Sequence, residues 1–272
     1  EAGIAAAEDV FWGDLPFNLT REIAENANTD WIDEMLRTGS VQNVNLSASG
    51  GNEKTTYYLG GSYRDEKGIL LGNDFQKVSG RLNLRHVHND IFTVGANISM
   101  TNTKNYRVPT SWAGGLGTAQ SRSLPIMPVY DSTGAYYMPR SGVNVVAFDE
   151  NFNYVANTTS ILANTFGEVH FNDWLFYRSD FGLNQMFLTE ETYEGNITRE
   201  LAEANLRKYE VLSANFSNTL NFNSTFGKSN VTAMVGMETL KSKGIGSWVS
   251  GTEFSTDDLT LPGNASRTNG GT

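Results

Sequence analysis

The sequence lacks residues on which several common classes of protein depend. Its 272 residues contain no cysteine, which excludes disulfides, thiolate metal sites and cysteine nucleophiles. There are only 3 histidines, and no continuous apolar run approaches the length of about 18 residues that a transmembrane helix requires. Proline is also scarce, with 6 copies against 27 glycines, and asparagine, serine and threonine are abundant. This composition is typical of all-β proteins rich in loops.

The charge balance argues against one class of partner. The formal net charge is -10, whereas binding to nucleic acid requires clustered lysine and arginine. We therefore predict no nucleic-acid partner and interpret the acidic surplus as the solubility of exposed loops. The composition leaves open a membrane β-barrel, in which only alternate residues of each strand need be apolar.

The most informative pattern present is strict alternation of apolar and polar residues. In 78–86, Val78, Leu82 and Leu84 alternate with polar residues that include Arg81 and Arg85. Successive side chains of a strand point to opposite faces, so this segment predicts a strand with one apolar and one polar face. Such strands fit a sheet packed on a soluble core, and they also fit a barrel whose apolar side meets lipid and whose polar side lines a lumen.

The same alternation recurs along the chain and predicts eight strands. They cover 41–49, 55–65, 78–86, 91–101, 161–171, 175–188, 209–222 and 231–239. Short and long connections alternate, 102–160 being the longest, and from Leu240 onward the chain is expected to be polar and without strands. Alternate short and long connections are typical of outer-membrane barrels, and aromatic residues near the short turns fit an interfacial girdle. Those aromatics are Phe92, Phe171, Trp174, Phe176, Phe222 and Phe226.

Residues before the first strand carry a second recognisable pattern. A short capped helix or an irregular turn is predicted at 28–37, with Thr29 or Asp30 as its N-cap. The motifs here are Thr29-Asp30-Trp31, Arg37-Thr38-Gly39 and the run Gln42-Asn43-Val44-Asn45-Leu46-Ser47-Ala48-Ser49-Gly50-Gly51-Asn52-Glu53-Lys54-Thr55-Thr56-Tyr57-Tyr58. Together with 60–69, Arg81-Leu82-Asn83-Leu84 and a loop at 255–259, they closely resemble the barrel of SusC/RagA-type TonB-dependent outer-membrane transporters of Bacteroidetes. The specific part of the resemblance covers 28–101.

The resemblance implies an all-β fold, an antiparallel transmembrane β-barrel segment of about eight strands from a 22-stranded barrel with long extracellular loops. It also implies a bacterial outer-membrane location in contact with lipid, energy from the TonB–ExbB–ExbD machinery, a SusD-like surface lipoprotein as a lid, and import of oligosaccharides or peptides. No plug domain, TonB box or closing C-terminal strand is recognisable in the sequence. Residues 1–272 are therefore expected to form a partial barrel domain.

Candidate binding residues follow from the polar registers and from the longest connection. Arg81, Arg85, Glu168, Arg178 and Asp180 are predicted to face the lumen, where they guide solute, contact the plug or form a hydrogen-bond network. Tyr106, Trp112, Tyr130, Tyr136 and Tyr137 are candidates for stacking on solute or packing on the lid, with packing within the loop as the alternative. We predict no catalytic set, no metal site and no cofactor, and therefore no enzyme.

Two other functions remain open at this point. A secreted soluble β-sandwich that binds carbohydrate would bury the apolar faces against each other. A small closed outer-membrane barrel of eight strands, with an adhesion or structural role, would be packed inside by side chains.

Overall fold

A computed structural model describes residues 21–108, 116–138, 144–196, 201–256 and 258–272. These residues form one antiparallel sheet in which each strand pairs with its neighbours in sequence. The nine strands are β1 (Ser40–Gly51), β2 (Thr55–Lys67), β3 (Asp74–Val87), β4 (Phe92–Tyr106), β5 (Phe152–Asn172), β6 (Leu175–Glu194), β7 (Glu203–Phe226), β8 (Ser229–Thr252) and β9 (Arg267–Gly271). All eight predicted strands are present within β1–β8, apart from Ile91, which lies in the turn before β4.

The strands are longer than predicted, and the difference is largest in the second half of the sheet. β5–β8 have 20 to 24 residues each, whereas β1–β4 have 12 to 15. The expectation that strand structure ends near Leu240 is wrong, because β8 continues through Lys241 and Lys243 to Thr252. Backbone pairing continues where neither face is apolar, so the alternation fades before the strand ends. The sequence prediction also missed β9, whose residues Arg-Thr-Asn-Gly-Gly show no alternation.

Connections alternate in length from one end of the sheet to the other, as predicted. The short ones are 52–54, 88–91, 173–174 and 227–228, and the long ones are 68–73, 107–151, 195–202 and 253–266. Three short turns use an asparagine side chain, since the Oδ1 atoms of Asn52, Asn89 and Asn172 accept backbone N–H groups two or three residues ahead. The fourth turn contains Gly227, whose φ of 61° favours glycine.

The register brings the apolar residues of successive strands onto one face. Leu59 lies opposite Leu82, Leu82 opposite Ile98, and the row continues through Ala163 and Leu183. We call this side the outer face. Its large side chains are uncovered, with Leu46 74% exposed and Val235 68% exposed. An apolar surface of this extent is characteristic of contact with lipid or with a partner.

The described residues neither close a barrel nor form a sandwich. β1 and β9 are the two edges of a single open sheet, and among the described residues no second sheet packs on the outer face. The arrangement therefore gives no support to a soluble sandwich or to a closed eight-stranded barrel. Among the described residues, no helix combines the length and the apolar character needed to cross a membrane.

A small folded unit lies at the end of the sheet that carries the long connections. It combines residues 21–37 with the described parts of the longest connection, and we call it the cap. Its helices are α1 (Arg21–Asn26), a 3-10 helix (Asp33–Met35), α2 (Leu116–Ser121) and α3 (Val145–Glu150). The buried residues Trp31, Met35, Met127 and Val145 share its core.

Hydrogen bonds attach the first part of the cap to the long connection. Trp31 Nε1 donates to the Leu124 carbonyl at 2.9 Å, and Thr29 Oγ1 donates to the Met127 carbonyl at 2.7 Å. The predicted turn at 28–37 is therefore present, although the N-cap residue of its 3-10 helix is Ile32. Asp30 still helps to start the helix, because its Oδ1 accepts from the backbone N–H of Ile32.

Candidate functional site

The polar side of the sheet, which we call the inner face, is as continuous as the outer face. Tyr58 lies opposite Asn83, Asn83 opposite Asn97, and Asn97 opposite Asn164. The five charged residues predicted to face a lumen all belong to this register: Arg81, Arg85, Glu168, Arg178 and Asp180. The inner face therefore carries all the charged candidate residues that were predicted from the sequence.

Four of these five residues meet in one charged cluster near the short turns. Arg178 Nη1 donates to Glu168 Oε1 at 2.7 Å, and the same guanidinium makes two bonds of 2.7 Å to the Asp180 carboxylate. Arg85 Nη2 lies 3.6 Å from Glu168 Oε2. His170, on the same face, places its Nε2 3.7 Å from Glu168 Oε2. Arg178 is thus held by two carboxylates, while Arg85 makes only a long contact.

Arg178 is also positioned by an aromatic ring that sequence reasoning did not single out. Its guanidinium carbon lies 4.0 Å from the centroid of the Phe166 ring, within the range of a cation–π contact. Phe166 in turn lies across Gly95, directly opposite on β4. A Cβ atom at Gly95 would come within 2.3 Å of the ring, so only glycine leaves room for this stack. The sequence around Phe166 did not predict this contact, because its partner Gly95 is distant in sequence.

Arg81 lies on the inner face apart from the cluster. It is exposed, and in the part of the chain that the structure describes it has no ion pair or hydrogen bond from its side chain. Arg85 is similarly accessible, with 54% of its side chain exposed. Among the described residues, these two cations are the members of the predicted set that lack a short ion pair.

The aromatic candidates of the longest connection occupy different environments. Tyr130 and Tyr136 stack with their ring centroids 5.2 Å apart, and the Tyr136 hydroxyl donates to the Glu150 carboxylate. Burial and the neighbouring Glu150 carboxylate raise the pKa of Tyr136 above its ordinary value. A cavity of about 710 Å³ lies beside this pair, between the loop and α1.

The other three aromatic candidates are Tyr137, Tyr106 and Trp112. Tyr137 is 7% exposed and packs in the core of the cap, so the prediction of surface stacking is wrong for this residue and the alternative of loop packing applies. Tyr106 ends β4 on the outward register, with the Lys104 ammonium 4.8 Å from its ring centroid. Trp112 lies outside the described residues.

Another polar contact, which the sequence did not predict, anchors the start of the long connection. Arg107 Nη1 donates to Tyr154 Oη at 2.7 Å and to Glu190 Oε1 at 2.9 Å. Tyr154 Oη also donates to Glu190 Oε1, at 3.0 Å. This triad ties the chain leaving β4 to the extended parts of β5 and β6. Among the described residues, no group of three or more histidine or acidic side chains is arranged to hold a metal ion.

Comparisons with known proteins agree with this architecture. No protein-family model matches the chain. TonB-dependent receptor P3 of Formosa agariphila is 26% identical over 255 residues, which cover 86% of this chain and 25% of that protein. TonB-dependent receptor SusC of Bacteroides thetaiotaomicron is 31% identical over 131 residues, covering 46% of this chain and 13% of that protein. A solved structure of the RagAB peptide transporter matches with a TM-score of 0.75 and 21% identity, over 90% of this chain and 30% of that chain.

The antiparallel sheet and the polarity of its two faces agree with a section of the wall of an antiparallel β-barrel. Its curated relatives confirm the resemblance drawn from the residues: the chain is similar to a section of TonB-dependent receptors of the SusC type, and its fold is similar to part of the RagAB peptide transporter. The chain spans about a quarter of the length of receptor P3. The relatives named here are receptors and transporters, which agrees with a function other than catalysis.

Proposed function

We propose that this chain forms part of the wall of an outer-membrane importer for oligosaccharides or peptides. Import is energised by TonB–ExbB–ExbD, and a SusD-like surface lipoprotein serves as the lid. The observation that carries the proposal is the separation of one apolar and one polar face across β1–β8, with short turns at one end and long connections at the other. This is the design of a barrel that meets lipid outside and water inside.

The outward-facing residues of β8 support insertion of this strand in the membrane. Val231, Ala233, Val235 and Met237 follow one another on the outward register, and the charged residue Lys241 follows beyond Thr239. A strand rises about 3.3 Å per residue, so the segment 231–239 measures roughly 30 Å and covers roughly 20–25 Å of height at a tilt of about 40°. That height matches the apolar band of an outer-membrane barrel, and the lysine marks its upper boundary.

The strand lengths support an extracellular extension of the wall. β5–β8 continue beyond the apolar segment, whereas β1–β4 are shorter and have the cap at the same end. The triad of Arg107, Tyr154 and Glu190 holds the long connection against the taller part. A rigid rim of this kind is a suitable platform for the proposed lid.

A cellular experiment tests the proposed function. The complete transporter that contains this chain is expressed with its neighbouring lipoprotein in a host with TonB and in the same host without it. Uptake of a labelled peptide mixture and of a labelled oligosaccharide mixture is measured beside that of a passive porin. We expect membrane-embedded protein and uptake of one mixture only where TonB is present, with porin uptake unchanged. Protein found in the soluble fraction, or uptake that is the same in both hosts, would contradict the proposal.

A further inference from the structure

The inner face of β1–β4 carries a positive charge that the chain as a whole does not. The complete sequence has 30 acidic residues against 20 lysines and arginines. On the inner register of these four strands, however, Glu66 is the single acidic side chain, beside four cations. The cations are Arg64, Lys77, Arg81 and Arg85. The inner face of β1–β4 is therefore positively charged although the chain as a whole is acidic, which indicates a local role for these cations.

Three of the cations follow one strand. Lys77, Arg81 and Arg85 occur at every fourth residue of β3, so they point to the same side and are spaced by roughly 13 Å. We call them the β3 cationic stripe. Arg64 is the exception to it, because Arg64 lies on β2 and is neutralised by Glu66, with Nη2 2.6 Å from Oε2.

The stripe is poorly neutralised by its surroundings. Within the described ranges, neither Lys77 nor Arg81 has an ion pair or a side-chain hydrogen bond. Arg85 has the 3.6 Å contact with Glu168, but Glu168 already accepts a 2.7 Å bond from Arg178. Several positive charges on one surface attract anions and concentrate them locally.

Two cavities lie along the stripe. Besides the cations themselves, the hydrogen-bonding side chains that line them are uncharged. The first, of about 290 Å³, includes Lys77 and Arg81. Its hydroxyl groups come from Ser47, Tyr58, Ser62, Ser79, Ser99 and Thr101. The absence of a carboxylate from this lining leaves the two cations to a ligand.

The second cavity, of about 340 Å³, combines Arg85 with two carboxamides and two rings of the inner register, and Tyr57 of the outward register also lines it. Asn83 and Asn97 are opposite each other on β3 and β4, and the rings belong to Tyr58 and Phe166. In the described part of the chain, neither carboxamide has a hydrogen-bond partner. Arginine matches a carboxylate geometrically, and free carboxamides can bind the polar groups on either side of it.

We propose that the β3 cationic stripe is a binding path for a solute that carries carboxylates on an extended, hydrogen-bonding backbone. Acidic oligosaccharides and peptides with free carboxylates share this chemistry. The inference rests on the proposed importer function and deepens it by assigning a charge class to the solute. Arg85, Asn83 and Asn97 bind one carboxylate and its neighbouring groups, while Lys77 and Arg81 bind the next segment toward the extracellular end.

Binding to the purified complete transporter in detergent tests the stripe. The probes are hexagalacturonate with its methyl ester, and N-acetylated hexaalanine with its C-terminal amide, so each carboxylate has a neutral counterpart. The test variant is K77Q/R81Q. The control variant K241Q/K243Q removes the same charge from the outward register of β8. Affinity is measured by calorimetry in low salt and again in high salt.

We expect at least one carboxylate probe to bind at least tenfold more tightly than its neutral counterpart, with affinity falling as salt rises. K77Q/R81Q should weaken that binding at least tenfold, and the control should change it less than twofold. Preference for the acidic sugar or for the peptide acid distinguishes the two solute sources. Equal binding of acid and neutral forms, or equal effects of the two variants, would overturn the proposal.

A different occupant of the stripe would give another result. If no carboxylate probe binds and K77Q/R81Q lowers the thermal stability more than the control does, an acidic segment of the same protein covers the stripe and the proposal fails. The binding assay does not depend on TonB. Carboxylate binding without TonB-dependent uptake would therefore contradict only the proposed function, and TonB-dependent uptake without carboxylate binding would contradict only this inference.

Discussion

Glu168 on β5 lies directly opposite Arg178 on β6, and the two side chains form a 2.7 Å hydrogen bond in which Arg178 Nη1 donates to Glu168 Oε1. Only 11% of the Glu168 side chain is exposed. Because Asp180 also binds the same guanidinium, a single arginine neutralises two carboxylates on the inner face. Arg178 therefore has a structural role, whereas the cations of the β3 cationic stripe lack short ion pairs of this kind.

Replacing Arg178 by leucine should destabilise the barrel by about 1–3 kcal/mol, since it removes the ion-pair partner of Asp180 and leaves the nearly buried Glu168 with only the long contacts to Arg85 and His170. Urea unfolding of the purified transporter, followed by tryptophan fluorescence, measures the change. Arg64→Leu is the matched control, because Arg64 pairs with the more exposed Glu66 and such pairs contribute about 0–1 kcal/mol. Equal effects of the two replacements would contradict the structural role of Arg178.

Leu82→Arg should disrupt assembly, whereas Arg81→Leu should be milder. Leu82 belongs to the outer face near the middle of β3, where a charged residue in lipid costs about 2–4 kcal/mol. Arg81 points to the inner face, where an apolar side chain remains in contact with water. The folded fraction in outer-membrane extracts is read from the heat-dependent shift of the barrel on gels. If both variants fold equally well, the assignment of the faces is wrong.

The cap should depend on Asn144, which is 1% exposed. Its Nδ2 donates to the Val129 and Tyr137 carbonyls, and its Oδ1 accepts from Ala147 N at the start of α3. Asn144→Ala removes all three bonds and should destabilise the cap by about 2–3 kcal/mol, since the buried Tyr137 carbonyl loses its side-chain donor and α3 loses its N-cap. Limited proteolysis of the long connection should accelerate by at least tenfold.

The exposed Asn26 provides the control for the cap. Its Nδ2 donates to the Glu22 carbonyl on the surface of α1, so Asn26→Ala should leave the cleavage rate within about twofold of the original. A cap that resists proteolysis equally in Asn144→Ala and Asn26→Ala would refute the role given to Asn144.

Asp149 should make the cap more stable in acid. Burial, followed by the charge of Glu150, raises the pKa of Asp149, while Arg37 opposes the shift. Because the folded pKa lies above that of the unfolded chain, the contribution of Asp149 is fully present below its ordinary pKa of about 3.9 and is lost as the pH rises through the folded pKa. Hydrogen exchange in α3 is measured across this pH window.

Asp149→Asn should abolish the part of the pH dependence that comes from this carboxyl group. Asp131 is a comparison within the same cap, because hydrogen bonds from Thr133 lower its pKa and give the opposite sign of pH dependence. An unchanged pH profile in Asp149→Asn would contradict the assignment.

Some of these features could be predicted from the sequence because they are local. Alternation has a period of two residues, so the faces of Leu82 and Arg81 follow from β3 alone. The extent of β8 could not be predicted in this way, since beyond Met237 its outward residues include Lys241 and Lys243 while the backbone pairing with β7 continues. The alternation of apolar and polar residues therefore marks the apolar segment of β8 and not the end of the strand.

Contacts between distant segments were beyond this reasoning. The polar registers placed Glu168 and Arg178 on the same face, but their pairing depends on the register between β5 and β6. For Tyr137 the sequence left stacking on solute or lid and packing within the loop as alternatives, and the cap buries it in a core shared with Trp31, which lies more than a hundred positions earlier in the sequence. Only packing in three dimensions reveals such burial.

Alternate solvent exposure along β3 is the most direct test of the central claim that one face meets lipid and the other meets water. The chain contains no cysteine, so single cysteines at 79, 81 and 83 and at 78, 82 and 84 report their own surroundings. Each is treated in intact outer membranes with a charged, water-soluble maleimide. We predict labelling at the odd positions and protection at the even ones, with the even positions reacting once the protein is unfolded. Equal labelling of both sets in the folded protein would contradict the account.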